Sequence, residues 1–128
     1  MRLAIVLIGF IFSVQALWAQ NRIDSLHALL ETAPQEQLPE IYIRIGSAYY
    51  ARGDNTSFSV AVENYLKAMK LARQLGNKKI EAQAMVANAV VNETRLDELD
   101  EAVALIQGAL KLYTQLKDSL GMAEAYHV

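Results

Sequence analysis

The feature that most constrains this chain is its similarity to itself at one fixed offset, the mark of stacked and related structural units. Ala61 aligns with Ala102, Ala68 with Ala109, Leu71 with Leu112, Leu75 with Leu116, Ala82 with Ala123 and Ala84 with Ala125. The turns follow the same offset: QLGNKKIEAQA, from Gln74 to Ala84, returns as QLKDSLGMAEA, from Gln115 to Ala125. Gly46 falls over Ala87, where a small side chain lets paired helices approach, and Tyr65 over Ile106, where a large one fills the space between layers.

Apolar periodicity supplies the units. Asn21 is placed to cap a helix from Arg22 to about Thr32, with Ile23, Leu26, Leu29 and Leu30 on one face and Pro34 limiting it. Pro39 suits the first turn of the next helix, because its missing N–H would be unpaired there anyway, and Tyr42, Ile45, Ala48 and Tyr49 form its buried face. Gly53, Asp54 and Asn55 predict a turn, after which Thr56, Ser57 or Ser59 could cap a helix running through Phe58, Ala61, Tyr65, Ala68 and Ala72 to Gly76. A fourth helix follows Asn77. A fifth is capped by Asp97 and continues through Val103, Ile106, Leu110 and Tyr113; a sixth begins near Gly121 or Met122.

The set Tyr42, Ile45, Gly46, Tyr49, Ala61, Tyr65 and Ala68, followed by Gln83, Val86, Ala87, Val90, Ala102, Ile106 and Ala109, resembles the large and small packing pattern of the tetratricopeptide repeat family. It is similar to the longer-period variety found in exported or membrane-linked bacterial regulatory proteins. The usual period is about 34 residues, so each unit here is longer. Gln83 and Val90 replace the aromatic residues of that pattern, and its closing proline is missing from both units. The resemblance implies an all-α fold of antiparallel helix pairs stacked as a short right-handed solenoid. The expected division is an N-terminal helix and linker over 20–38, a first repeat over 39–76, a second over 77–117 and the start of a third over 118–128. It also implies a groove lined by the first helix of each pair: Glu40, Ile43, Ser47, Tyr50 and Ala51, then Glu81, Ala84, Asn88, Val91 and Asn92. Of these, Glu40, Ile43, Ser47, Tyr50, Glu81, Asn88 and Asn92 are the candidate contacts for a peptide segment or a helix of another protein.

Residues 1–19 differ from the rest. Arg2, an apolar run from Leu3 to Val14 and the small-residue region ending at Ala19 read as an export signal, cleaved after Ala19 or, because Leu17 is bulky, after Ala16. The run is short for a membrane-spanning helix. Export to the periplasm or cell envelope is therefore expected, with membrane association only if the segment is retained.

Little in the chain points to catalysis. With 12 basic and 14 acidic residues there is no basic stripe for nucleic acid, and the absence of cysteine removes thiolate chemistry and cysteine-ligated metals. His27 and His127 have no partners at metal-ligand spacing, and Gly53-Asp54-Asn55 lacks the lysine of a phosphate loop. Ser57 and Ser59 have no neighbouring base. Asp97, Glu98, Asp100 and Glu101 lack the alternating ligands and glycine of a calcium loop and read as helix-start charges. No catalytic residue, cofactor or metal is expected. The leading expectation is a noncatalytic interaction module of the cell envelope. The second is the N-terminal sensory region of a longer membrane-linked signalling kinase or transcription regulator, because GMAEAYHV opens a third unit without its covering helix.

Overall fold

The computed structural model describes the backbone of residues 2–128 and the side chains of residues 14, 15 and 17–128. Six α-helices follow one another: α1 (Arg2–Thr32), α2 (Leu38–Arg52), α3 (Asn55–Leu75), α4 (Lys78–Thr94), α5 (Leu99–Leu116) and α6 (Ser119–His127), with a short 3₁₀ turn at Gln35–Gln37. Short connections reverse the chain, and the helices pack as stacked antiparallel pairs: α2 with α3, α4 with α5, and α3 against α4 between the pairs. The fold is all-α, as the periodicity predicts.

The helix starts differ from expectation in instructive ways. α1 runs without a break through Ala19 and Asn21. Asn21 is therefore not a cap; its carbonyl accepts from Ser25 Oγ at 2.8 Å inside the helix, and no glycine or proline between Gln15 and Asn21 interrupts the winding. Most of the apolar run of the expected export signal, and Ala16, lie outside the residues whose side chains are described. Pro39 does sit in the first turn of α2.

At the second turn, Gly53 adopts the left-handed conformation (φ 81°) and the cap is Asp54, rather than Thr56, Ser57 or Ser59. The Asp54 carboxylate accepts from both the Ser57 amide and the Ser57 hydroxyl, at 2.8 Å each. Those two bonds hold its carboxyl below the usual carboxylate range. Asp97 likewise fails as a cap. It takes a left-handed turn itself (φ 55°), and Glu98 occupies the cap position of α5 without a side-chain bond. α6 begins earlier than expected, because Asp118 caps it through the Gly121 amide at 3.0 Å.

Two junctions built alike are related by the offset that carries Ala61 onto Ala102. α3 closes with Gly76 N–H donating to Arg73 O and Asn77 N–H to Ala72 O; α5 closes with Lys117 N–H to Thr114 O and Asp118 N–H to Tyr113 O. Gly76 and Lys117 are both left-handed, and Asn77 and Asp118 both cap the helix that follows. The core keeps the same offset: Ala61 and Ala102, Ala68 and Ala109, Ala72 and Tyr113, and Ala84 and Ala125 are all buried. Ala123 departs from its counterpart Ala82, being exposed where Ala82 is fully buried. Phe58, Ala61, Tyr65 and Val91 form one cluster, and Ala82, Ala109, Tyr113 and Ala125 another; Ala89, Ala102 and Leu105 lie between α4 and α5.

Candidate partner-binding surfaces

The residues expected to share a groove are divided by the packing of α4. On α2, Glu40 is exposed and pairs with Arg44 one turn on, at 3.0 Å, while Ile43 leans on the Phe58 cluster. Ser47 is exposed, with its Oγ 3.1 Å from Tyr65 Oη. Tyr65 itself is 3% exposed, and burial raises its pKa against the opposing effect of that hydrogen bond.

On α4 the groove expectation is corrected. Glu81, Asn88 and Asn92 are only 7%, 1% and 5% exposed, and Ala84 and Val91 are buried as well. α4 has helices on both sides, α3 before it and α5 after it, so the stripe through Glu81, Asn88 and Asn92 turns into the protein. Its polar atoms find partners there: Asn92 Nδ2 donates to Asn88 Oδ1 at 3.0 Å, and Arg73 Nε to Glu81 Oε1 at 2.8 Å. The more open face of α4 carries Lys79, Gln83, Val86, Val90 and Glu93 instead. Gln83 and Lys79 there line a crevice of about 100 Å³ against Tyr113, Asp118, Leu120, Gly121 and Glu124.

Tyr50 is also committed internally. Its ring lies 5.7 Å from that of Phe58, and the Arg95 guanidinium stands over both, 5.7 Å from Tyr50 and 5.3 Å from Phe58. Tyr50 Oη is 3.4 Å from Thr94 Oγ1. The Thr94 hydrogen bond lowers the phenol pKa; burial opposes it and Arg95 assists it. Tyr50 therefore ties the end of α2 to the end of α4, and it does not share an opening with Asn88 and Asn92.

A more open surface lies on α5. Leu99 and Val103 are each 55% exposed, whereas their counterparts one repeat earlier are Phe58, 4% exposed, and the half-buried Val62. The earlier pair is covered from two sides: Ile43, Tyr49 and Tyr50 of α2, and Ala87, Val91 and Leu96, pack with the Phe58 cluster. α6 provides the corresponding cover only for the C-terminal half of α5, through Met122 and Ala125 against Ala109 and Tyr113. The uncovered half forms an apolar groove of about 320 Å³, lined by Leu99, Ala102, Val103, Ile106 and Leu110 from α5, Ala125, Tyr126 and Val128, with Glu93 at its edge. The alignment of Phe58 with Leu99 and Val62 with Val103 was visible in the sequence, but which helix would cover each was not.

Elsewhere, Trp18 and Arg22 border an open depression along the single helix α1. Among the described residues no group of three acidic, histidine or cysteine side chains could hold a metal ion, and no helix is long and apolar enough to cross a membrane. No protein-family model matches the chain, and no curated protein matches it significantly.

Proposed function

We propose that this chain is a noncatalytic, exported interaction module built as a tetratricopeptide-like right-handed solenoid, acting in the periplasm or cell envelope. The feature that supports the interaction role is the exposed apolar row of α5, Leu99 and Val103, each 55% exposed, with Glu93 at its edge. Apolar area of this kind, edged by charge, is what a partner removes from water on docking. The repeat resemblance and the matching junctions after α3 and α5 support the solenoid; Arg2, the apolar leader and Ala19 support export.

The docking role is tested with a photo-crosslinking amino acid placed at position 103, or at the exposed Glu63 of α3 as control, in cells that make the full chain. Adducts with an envelope protein confined to position 103 are the expected result. Equal labelling at both positions, or none at 103, would remove the groove from consideration. Export is tested separately by the mass and location of the product, and an intact chain beginning with Met1 in the cytosol would reject it.

A further inference from the structure

Beyond the docking role, we infer that the crevice between α4, the end of α5 and α6 binds the zwitterionic head of a small free α-amino acid, its carboxylate toward Lys79 and its ammonium toward Glu124. The polar groups that converge there depart from the repeat. Where the crevice has Lys79, Gln83, Gly121 and Glu124, the preceding unit has Leu38, Tyr42, Ile80 and Gln83, and Tyr113 replaces Ala72. Bulk has thus moved from α4 to the floor, where Gly121 admits the Tyr113 ring: a Cβ on Gly121 would lie 2.4 Å from both Tyr113 Cδ1 and Cε1. About 100 Å³ remains. That is the room of roughly three water molecules, enough for a compact polar head.

Tyr113 is 1% exposed, yet no hydrogen bond to its hydroxyl enters the causes of its raised pKa. No buried polar side-chain atom among the described residues lacks both a partner and solvent, so the hydroxyl opens into the crevice that Tyr113 lines. Burial keeps the phenol protonated, with Glu124 and Asp118 adding to the effect, and it faces the crevice as an O–H donor. Lys79 and Glu124 line the same space from α4 and α6, but neither enters an ion pair among the described residues. Asp118, the third charged group there, is held by the Gly121 amide at 3.0 Å. A lone cation would be opposed by Lys79 and a lone anion by Glu124, whereas a zwitterion meets an unlike charge at each end. The Tyr113 hydroxyl donates to its carboxylate, and Gln83 Oε1 accepts from its ammonium. This face is one the stack leaves open: Lys79 is exposed and Gln83 half-buried although α4 has helices on both sides, and Leu120 and Glu124 are their counterparts on α6.

The test titrates glycine into isotopically labelled protein purified from cells that make the full chain, following the Gly121 backbone and Gln83 side-chain amides by nuclear magnetic resonance. Saturable shifts are expected, with Kd about 1–10 mM for so small a ligand. Acetate and methylammonium, each carrying one of glycine's two charges, should bind at least about tenfold more weakly. Lys79→Gln and Glu124→Gln should each weaken glycine by a similar factor without moving thermal unfolding, since both side chains are exposed. Tyr113→Phe should weaken it as well, and Glu63→Gln on α3 should leave it unchanged. Absence of saturable shifts, acetate or methylammonium binding as tightly as glycine, or affinity unchanged in both charge variants would each overturn the inference. None of these results involves Val103, so the docking role of α5 stands or falls separately.

Discussion

Gly46 sits in the middle of α2, where helix propensity alone favours alanine by about 0.5–1 kcal/mol. Packing opposes that gain. A Cβ on Gly46 would lie 2.6 Å from Tyr65 Cε1, 2.9 Å from Tyr65 Cδ1 and 3.1 Å from the Ala61 carbonyl oxygen. None of these neighbours can step aside easily: Tyr65 is buried with its hydroxyl held by Ser47, and Ala61 is fully buried backbone of α3. Overpacking of this kind costs about 1–3 kcal/mol, so Gly46→Ala should lose about 1–2 kcal/mol net. For a domain of this size that is a fall in Tm of roughly 4–10 °C. Gly108 provides the contrast. It is also mid-helix, but its Cβ would meet only the flexible end of Met85, 3.3 Å from Sδ and 3.5 Å from Cε. Gly108→Ala should therefore be neutral or stabilising by up to about 1 kcal/mol. Thermal and urea unfolding of both variants, with Gly46→Ala repeated in a Tyr65→Leu background, separates propensity from collision. In that background the ring is gone and the alanine should become neutral or favourable. A rise in Tm for Gly46→Ala in the wild-type background would refute the close-approach argument.

Lys117 holds a left-handed conformation (φ 55°) where its counterpart is Gly76, so Lys117→Gly should stabilise by about 1 kcal/mol in chemical unfolding. The Tyr113 phenol is pushed up to about 12 by burial, with Glu124 and Asp118 adding to the shift. Its neutral form is the one the fold favours, so this stabilisation is complete below pH about 10 and is lost as pH rises toward about 12. Ultraviolet titration should show a phenolate forming at about pH 12 in the folded protein that is missing in Tyr113→Phe. Ala109 is fully buried against the Ala82 and Tyr113 cluster, and Ala109→Leu should cost about 1–3 kcal/mol by overpacking; an unchanged unfolding midpoint would show that the α4–α5 interface has room that its burial denies.

Helix content, helix order and most turns were legible because they depend on local chemistry. Pro39, Gly53 and Gly76 each impose a backbone geometry that few other residues satisfy, and the structure places each where that geometry is used. The misplaced caps follow from the same logic applied at a neighbouring position. Asp54, Glu98 and Asp118 take the cap positions because Gly53, Asp97 and Lys117 absorb the left-handed turn immediately before them. Nothing in the composition of Lys117 signals that role; only its alignment with Gly76 in the repeat does.

The candidate groove was less legible because polarity does not identify an outward face when a helix has neighbours on both sides. Asn88 and Asn92 look like solvent-facing amides in the sequence, yet their i, i+4 spacing lets one satisfy the other inside the protein, and Glu81 is reached by an arginine from α3. Their burial makes them determinants of how α4 is seated, and alanine at either would leave a buried amide without its partner before it affected any docking surface. Apolar residues carry the more informative contrast. Phe58 and Leu99 occupy the same place in successive helix pairs, yet they are 4% and 55% exposed; Phe58 packs with Val91 and has the Tyr50 ring and the Arg95 guanidinium against it. In a repeated fold, the position at which equivalent residues cease to be buried alike is where a further helix can add to the stack by the contacts the preceding pair already uses.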